Sequence, residues 1–210
     1  MKIALIGAAG NIGRRILDEA LHRGHQVTAI QRDPAKLTHT HINLTVVQGD
    51  LAQPASLPAL FHGHDVVISA ASPADSESFI QVNKDLVEAV RLAQVPRVLI
   101  VGGAGCLEVA PGVDLLQSGA LDSFPWKWVA EAHREVRNHL REIDSVNWTY
   151  FSPAGLIEAG ERTGKFRLGT TALVADEAGK SRISMEDYAV ALIDELENPQ
   201  FHRAQFTIGY

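Results

Sequence analysis

Lys2-Ile-Ala-Leu-Ile-Gly7-Ala-Ala-Gly10-Asn-Ile-Gly13 carries the reading on which the fold depends. Ile3–Ile6 is apolar without polar alternation and stops at a glycine, the pattern of a strand buried on both faces of a parallel sheet. From Asn11 to Arg23, Ile12, Ile16, Leu17, Ala20 and Leu21 recur at helical spacing, and Gly24 supplies the stop. The turn between them has GxxGxxG spacing, a variant of the GxGxxG dinucleotide fingerprint. Gly7 permits a tight strand-to-helix turn, Gly10 lets backbone N–H groups approach a pyrophosphate, and Gly13 allows close packing of helix on sheet. The opening turn of the helix offers unpaired N–H groups to an anion. Gly7, Ala9, Gly10, Asn11, Ile12 and Gly13 are therefore candidate diphosphate contacts. A glycine triplet is also compatible with a purely structural turn; its placement between a buried strand and a helix favours the ligand. The P-loop pattern GxxxxGK[ST] is absent from the sequence.

Outward from this turn, strands are expected at 26–31, 44–48, 65–71 and 97–101, with helices at 54–61 and 76–94. Strands alternating with helices imply right-handed crossovers and a doubly wound parallel sheet covered on both faces, an α/β Rossmann-type fold. Beyond residue 102 the pattern loosens. Residues 102–125 read as loop, 127–142 as helix, 147–151 as strand, 155–179 as a glycine-rich stretch without period, and 205–208 as a closing strand. A helix is expected over 184–196, with Ser184 as its N-cap. One NAD(P)-binding domain over 1–210 is expected, its part from about 103 forming the lip for a substrate or acceptor.

The second expected strand ends at Ala29-Ile30-Gln31-Arg32-Asp33. An NAD-specific site places an acidic residue there for the ribose 2′-hydroxyl. Arg32 can stack on adenine and hydrogen-bond a 2′-phosphate, and Lys36 could add charge, so NADPH is preferred to NADH. Asp33 keeps NADH open through a small register shift, and Arg32 could simply be solvated. Ligands of open α/β sheets lie outside the carboxyl ends of the strands. Those ends add Asp50 (toward the adenine amino group) and Leu51, then Ser69, Ala70 and Ala71. Gly102 and Gly103 follow the fifth strand, and Ser152, Pro153, Ala154 and Gly155 the next.

Composition bounds the classes. The 210 residues, 46% hydrophobic and 21% charged, are ordinary globular usage, which excludes disorder and fibrous structure. Folding at this size buries roughly 70% of the chain surface. A net charge of −6 argues against a nucleic-acid partner. No apolar run approaches the ~20 residues of a membrane span, and Ile3–Ile6 is too short for a signal-peptide core. A single cysteine fits a reducing cytoplasm. His39-Thr-His41 and His62-Gly-His64 lie in or beside expected loops without a third ligand, so no metal is assigned. Whether the chain is monomeric or a homodimer is left open.

GAAGNIG at 7–13, Arg32 with Pro34 and Lys36, GDL at 49–51, DVVISA at 65–70 and VGGAG at 101–105 together resemble the atypical short-chain dehydrogenase/reductase superfamily. Asn147–Pro153, Gly160-Glu-Arg-Thr-Gly164 and Ser181–Ala189 narrow the resemblance to the NADH-flavin reductase group, related to NmrA-like proteins and to biliverdin reductase B/flavin reductase. The resemblance implies an NAD(P)H site at the positions above and reduction of a flavin or related acceptor, the flavin being substrate rather than bound cofactor. Cys106 stands where serine is expected after GGAG and would put a thiol near the nicotinamide. The larger superfamily uses a Tyr-x-x-x-Lys pair to move the proton. The corresponding stretch, Phe124–His133, contains no tyrosine, and neither Tyr150 nor Tyr188 has lysine four residues on. Catalytic residues are therefore unassigned. Flavin or quinone reduction dispenses with the pair, since proximity and orientation suffice. Phe124, Trp126 and Trp128 could contact such a ring or pack on the core. His133 reads as a packing residue more readily than a donor. A noncatalytic NmrA-like redox sensor fits the missing pair equally, whereas a nucleotide-sugar epimerase fits less well because it needs that pair.

Overall fold

Gly7 has a left-handed φ of +80°, and that turn sends the chain from β1 (Lys2–Ile6) directly into α1 (Asn11–His22). The computed structural model describes residues 1–72 and 74–210. β2 (Gln26–Gln31), β3 (Leu44–Gln48), the short α2 (Leu57–Phe61), β4 (Val66–Ser69), α3 (Ser76–Leu92) and β5 (Val98–Val101) complete the first half. The second half contains the hairpin β6 (Glu108–Ala110) and β7 (Val113–Asp114), then α4 (Lys127–Arg141), β8 (Trp148–Ser152), β9 (Leu156–Glu158) and β10 (Arg167–Gly169). β11 (Arg182–Ser184), α5 (Met185–Glu197) and β12 (Ala204–Gly209) follow.

Eight strands form one sheet in the order β10-β12-β8-β5-β4-β1-β2-β3. Neighbours are parallel except at the edge, where β10 runs antiparallel to β12. The chain winds outward from β1 through β2 to β3, then returns to the other side of β1 with β4. Ile6 is level with Ile30 on one side and Ser69 on the other, so a crevice opens at the carboxyl ends where the winding reverses, the ligand position of this fold type.

Alternation along β1 divides the core. Ile3 and Leu5 face α1 and α5, packing with Ile16, Leu17, Leu192 and Leu196; Ala4 and Ile6 belong to the other layer with Leu86, Val90, Val136 and Leu140 of α3 and α4. Complete burial of such side chains contributes about 1.5–3 kcal/mol each. A ladder of rings closes the α5 side: Phe151 stacks on Tyr188 at 4.1 Å and on Phe206 at 3.9 Å.

The long elements follow the sequence expectations closely, and Ser184 caps α5 by accepting from the Asp187 N–H at 3.0 Å. Two expectations need correction. The strand expected to reach Ala71 ends at Ser69, because the chain leaves the sheet to form the crevice wall. The expected loop 102–125 contains the β6–β7 hairpin, and 155–179 contains β9 and β10. These strands are two or three residues long, too short to show a period.

Candidate functional site

A cavity of about 470 Å³ occupies the crevice at the winding reversal. Gly7 and Gly10 line it beside Gln31 and Arg32 from the end of β2, Asp50 and Leu51 after β3, Ala70 and Ala71 after β4, and Asp75, Ser78 and Phe79 at the start of α3. Gly10 is the extended N-cap of α1 and no side chain caps that helix, so its first N–H groups, at Asn11, Ile12 and Gly13, have no capping acceptor. The Gln31 side chain is buried, and among the described residues its Nε2 has no hydrogen-bond partner.

The glycines differ in what requires them. A Cβ on Gly13 would collide with Gly7 O and approach Gly7 C to 2.7 Å, and one on Gly7 would collide with Ala70 O. Packing alone demands these two. A Cβ on Gly10 would meet only Gly7 O, at 3.2 Å, so the space above Gly10 belongs to the crevice rather than to the protein interior.

Arg32 is exposed at the rim and Asp33 is turned to its own helical turn, where the carboxylate accepts from Ala35 N–H at 3.1 Å. That bond holds Asp33 away from the register shift that would bring it to a ribose. Asp50 accepts from Ala52 N–H at 3.0 Å through Oδ1. Lys36 is exposed and outside the cavity wall; Ala9, Asn11, Ile12 and Gly13 also lie outside it.

At the later strand ends the small residues also meet packing demands of the protein itself. A Cβ on Gly102 would collide with the Tyr150 ring, and one on Gly103 would lie 3.0 Å from the His133 ring. Ser69, Ser152, Pro153 and Ala154 are buried. Ser152 accepts from Gln205 Nε2 at 3.2 Å, and Gly155 N–H donates to Ser181. None of Gly102, Gly103 or residues 152–155 lines the crevice. Phe124 and Trp126 are exposed, at 52% and 66%, instead of packed on the core. Trp128 is half-buried, and its carbonyl accepts from Ser76 Oγ at 3.5 Å, which puts the start of α4 beside the start of α3 at the crevice lip.

All three tyrosines are engaged elsewhere. Tyr150 donates to the His133 carbonyl at 2.9 Å and accepts from Gly103 N–H at 3.1 Å. Tyr188 donates to Phe151 O at 2.6 Å, and Tyr210 to Asp187 at 2.8 Å. Burial raises the Tyr150 and Tyr188 phenols well above their ordinary range. His133 is buried edge-on against Phe79, its ring centroid 4.7 Å away and its Nδ1 3.1 Å from the Tyr150 hydroxyl, and burial lowers its pKa to about 4. It is a neutral packing residue. Cys106 is buried beside Gly103 O, Ser152 and Gln205 and outside the crevice lining, with a thiol that burial pushes up. His64 bonds Thr28 at 2.8 Å and His39 pairs with Asp18 at 2.9 Å. Among the described residues no three potential ligands cluster for a metal, and no helix is long and apolar enough to cross a membrane.

Residues 160–164 and 184–187, which read as separate motifs, form one structure. Arg162 donates to both oxygens of Glu19 at 2.8 Å, so it pairs with α1 and not with Glu161. Gly160 N–H donates to Glu186 at 2.8 Å. Buried Asp187 accepts from Thr163, Gly164 N–H and Tyr210. The sequence leaves Arg162 between a loop ion pair and an acceptor contact. Its partner in the fold lies 143 residues away, where no local spacing could reveal it.

Residues 7–199 match the profile of a family described as NAD(P)H-binding. Three solved structures resemble the chain throughout. A Burkholderia pseudomallei protein provisionally described as an exported protein is 47% identical, with a TM-score of 0.90 and 100% of both chains covered. A Bacteroides thetaiotaomicron protein provisionally described as an epimerase is 42% identical, with a TM-score of 0.94, covering 100% of this chain and 96% of its own. A Streptococcus pneumoniae protein provisionally described as an NADH-flavin reductase is 32% identical, with a TM-score of 0.85, covering 100% and 99%.

Proposed function

This chain belongs to the NAD(P)H-binding family, among the atypical short-chain dehydrogenases/reductases, and from that premise we propose that it is an NADPH-preferring oxidoreductase acting on a flavin or quinone-like acceptor. The carrying observation is the crevice at the winding reversal, with an open space above Gly10 and an unpartnered buried amide at Gln31. Both features fit a dinucleotide: a Cβ at Gly10 would fill the cradle, and Gln31 Nε2 needs an acceptor. The helix that opens beside the cavity at Gly10 would hold a diphosphate with its uncapped first-turn N–H groups, at the positive end of its dipole. Gln31, Asp50 and Leu51, which line the cavity, would flank the adenosine. Arg32 would take a 2′-phosphate with Lys36 as a second charge, while Asp33 is committed to its turn.

When bound, the reduced nicotinamide supplies hydride. The protein's part is to place the acceptor, exclude water and orient the two rings. A Tyr–Lys proton relay is not required for such acceptors, and the three tyrosines are bonded into other parts of the fold. The same point weighs against epimerase chemistry of the Tyr–Lys type, despite the Bacteroides relative's description. We read the segment from about residue 103 as the acceptor lip, with Phe124, Trp126 and Trp128 offering ring surface. Mixing the protein with NADPH and FMN, or a quinone, should consume absorbance at the nicotinamide band. Tight cofactor binding without oxidation by any flavin or quinone would overturn the enzyme reading in favour of a redox sensor.

A further inference from the structure

Arg137 is 8% exposed, and among the described residues its guanidinium makes no hydrogen bond or ion pair; its Nε is buried without a partner. A largely buried cation with no protein counter-charge is unfavourable unless solvent or an anion meets its exposed nitrogens. Arg97, buried to a similar extent at 6%, also has an unpartnered Nε, but its terminal nitrogens are met by the protein: they donate to the Glu195 carboxylate and carbonyl, Thr149 Oγ1 and Phe201 O. Arg137 instead lines a separate cavity of about 170 Å³ between α4 and the β6–β7 hairpin. Cys106, Asp114, Gln117, Arg141 and Thr171 line it too, and no lining residue is shared with the nucleotide crevice.

Two guanidiniums and two carboxylates line the cavity, and one carboxylate, Asp114, is already paired with Arg134 outside the wall. Arg141, one turn further along α4, has its proton affinity lowered by burial and by the Arg137 charge, so two cations crowd one space. Asp114 is already committed: its oxygens meet Gln117 N–H at 2.8 Å and Arg134 at 3.4 Å. Glu108 is exposed and also on the wall, and its charge offsets part of that crowding on Arg141. Gln117 Oε1 accepts from Asp114 N–H at 3.0 Å, which leaves its NH₂ group free to donate, and Thr171 adds a hydroxyl. The volume equals about five or six waters, enough for a five-atom oxyanion.

We propose that this cavity is a binding site for a small oxyanion of the phosphate class, anchored by Arg137 and closed at its rim by Arg141. It does not rest on the oxidoreductase reading. The probe is inorganic phosphate, titrated calorimetrically against chloride at constant ionic strength. Because phosphate could also settle above Gly10, Gly10→Ala is titrated in parallel. Wild type and Gly10→Ala should both bind saturably, Arg137→Met should lose at least ~10-fold in affinity and Arg141→Gln several-fold. Tungstate soaked into crystals should give an anomalous peak between Arg137 and Arg141. Unchanged affinity in Arg137→Met, or only waters in the cavity, overturns the site. Should Arg137→Met fail to fold, unchanged binding by Arg141→Gln together with a tungstate peak elsewhere overturns it equally.

Discussion

A methyl group added at Gly13 meets Gly7 C at 2.7 Å and Ala8 Cα at 3.2 Å, whereas one added at Gly10 meets only Gly7 O at 3.2 Å. The first contact is backbone against backbone and cannot relax by rotating a side chain. Gly13→Ala is expected to cost about 3 kcal/mol in urea unfolding. Gly10→Ala should stay within about 1 kcal/mol of wild type and lose at least ~10-fold in NADPH affinity, because the new methyl occupies the ligand's side of the turn. Equal destabilisation by both would return the triplet to a purely structural role. Arg32 separates the two cofactors at the same scale. A charge-assisted contact to a phosphate is worth about 1.5–3 kcal/mol, so Arg32→Ala should weaken NADPH by ~10–100-fold and NADH little. Equal loss of both in fluorescence titrations would remove Arg32 from phosphate recognition.

Elements whose burial repeats along the chain are readable from sequence. β1, α1 and β2 lie within a residue of their expected ends because Ile3–Ile6 and the Ile12–Leu21 stripe each report a single local environment. The crevice half built from Gly7, Gly10, Arg32, Asp50, Ala70 and Ala71 is legible for the same reason, as each residue sits at the end of a readable strand. Gly102 and Gly103 are ambiguous in sequence because glycine at a strand end looks the same whether a ligand approaches it or Tyr150 and His133 fill the space. The 160–164 loop is opaque because its order comes from α1 and α5. Asp187, 0% exposed, accepts three hydrogen bonds there, from Thr163, Gly164 and Tyr210. Asp187→Ala leaves those donors unpaired and should cost about 3 kcal/mol, with faster proteolytic cleavage in 159–165 than in wild type. Cleavage at the wild-type rate would mean that Arg162 with Glu19 holds the loop unaided.

Acid should lower the stability of the whole molecule through two groups of different origin, each over its own pH range. His133 is held neutral by burial, with a pKa of about 4 against an ordinary 6.5. Between those values the unfolded chain binds the proton and the folded chain does not, so stability rises with pH across the window and is lost as pH falls through it. From pH 7 to pH 5 the loss at this one site is about 2 kcal/mol. Glu19 acts lower. Hydrogen bonds from Arg162, assisted by Arg23, overcome its burial and hold its carboxyl at about 2, below the ordinary 4.5. Its contribution is complete above 4.5 and disappears as pH falls toward 2, and Arg162, 51% exposed, is screened enough to keep it small. His133→Phe removes the Nδ1 contact but preserves a ring against Phe79, and it leaves the Tyr150 hydroxyl bonded to the residue 133 carbonyl and Gly103 N–H. Urea midpoints of this variant should lose the His133 share of the decline between pH 7 and pH 5 while keeping the fall below pH 4.5. A variant as acid-sensitive as wild type over the upper window would show that His133 takes up its proton without unfolding the packing around Gly103, and the loss there would then have to come from histidines outside the core.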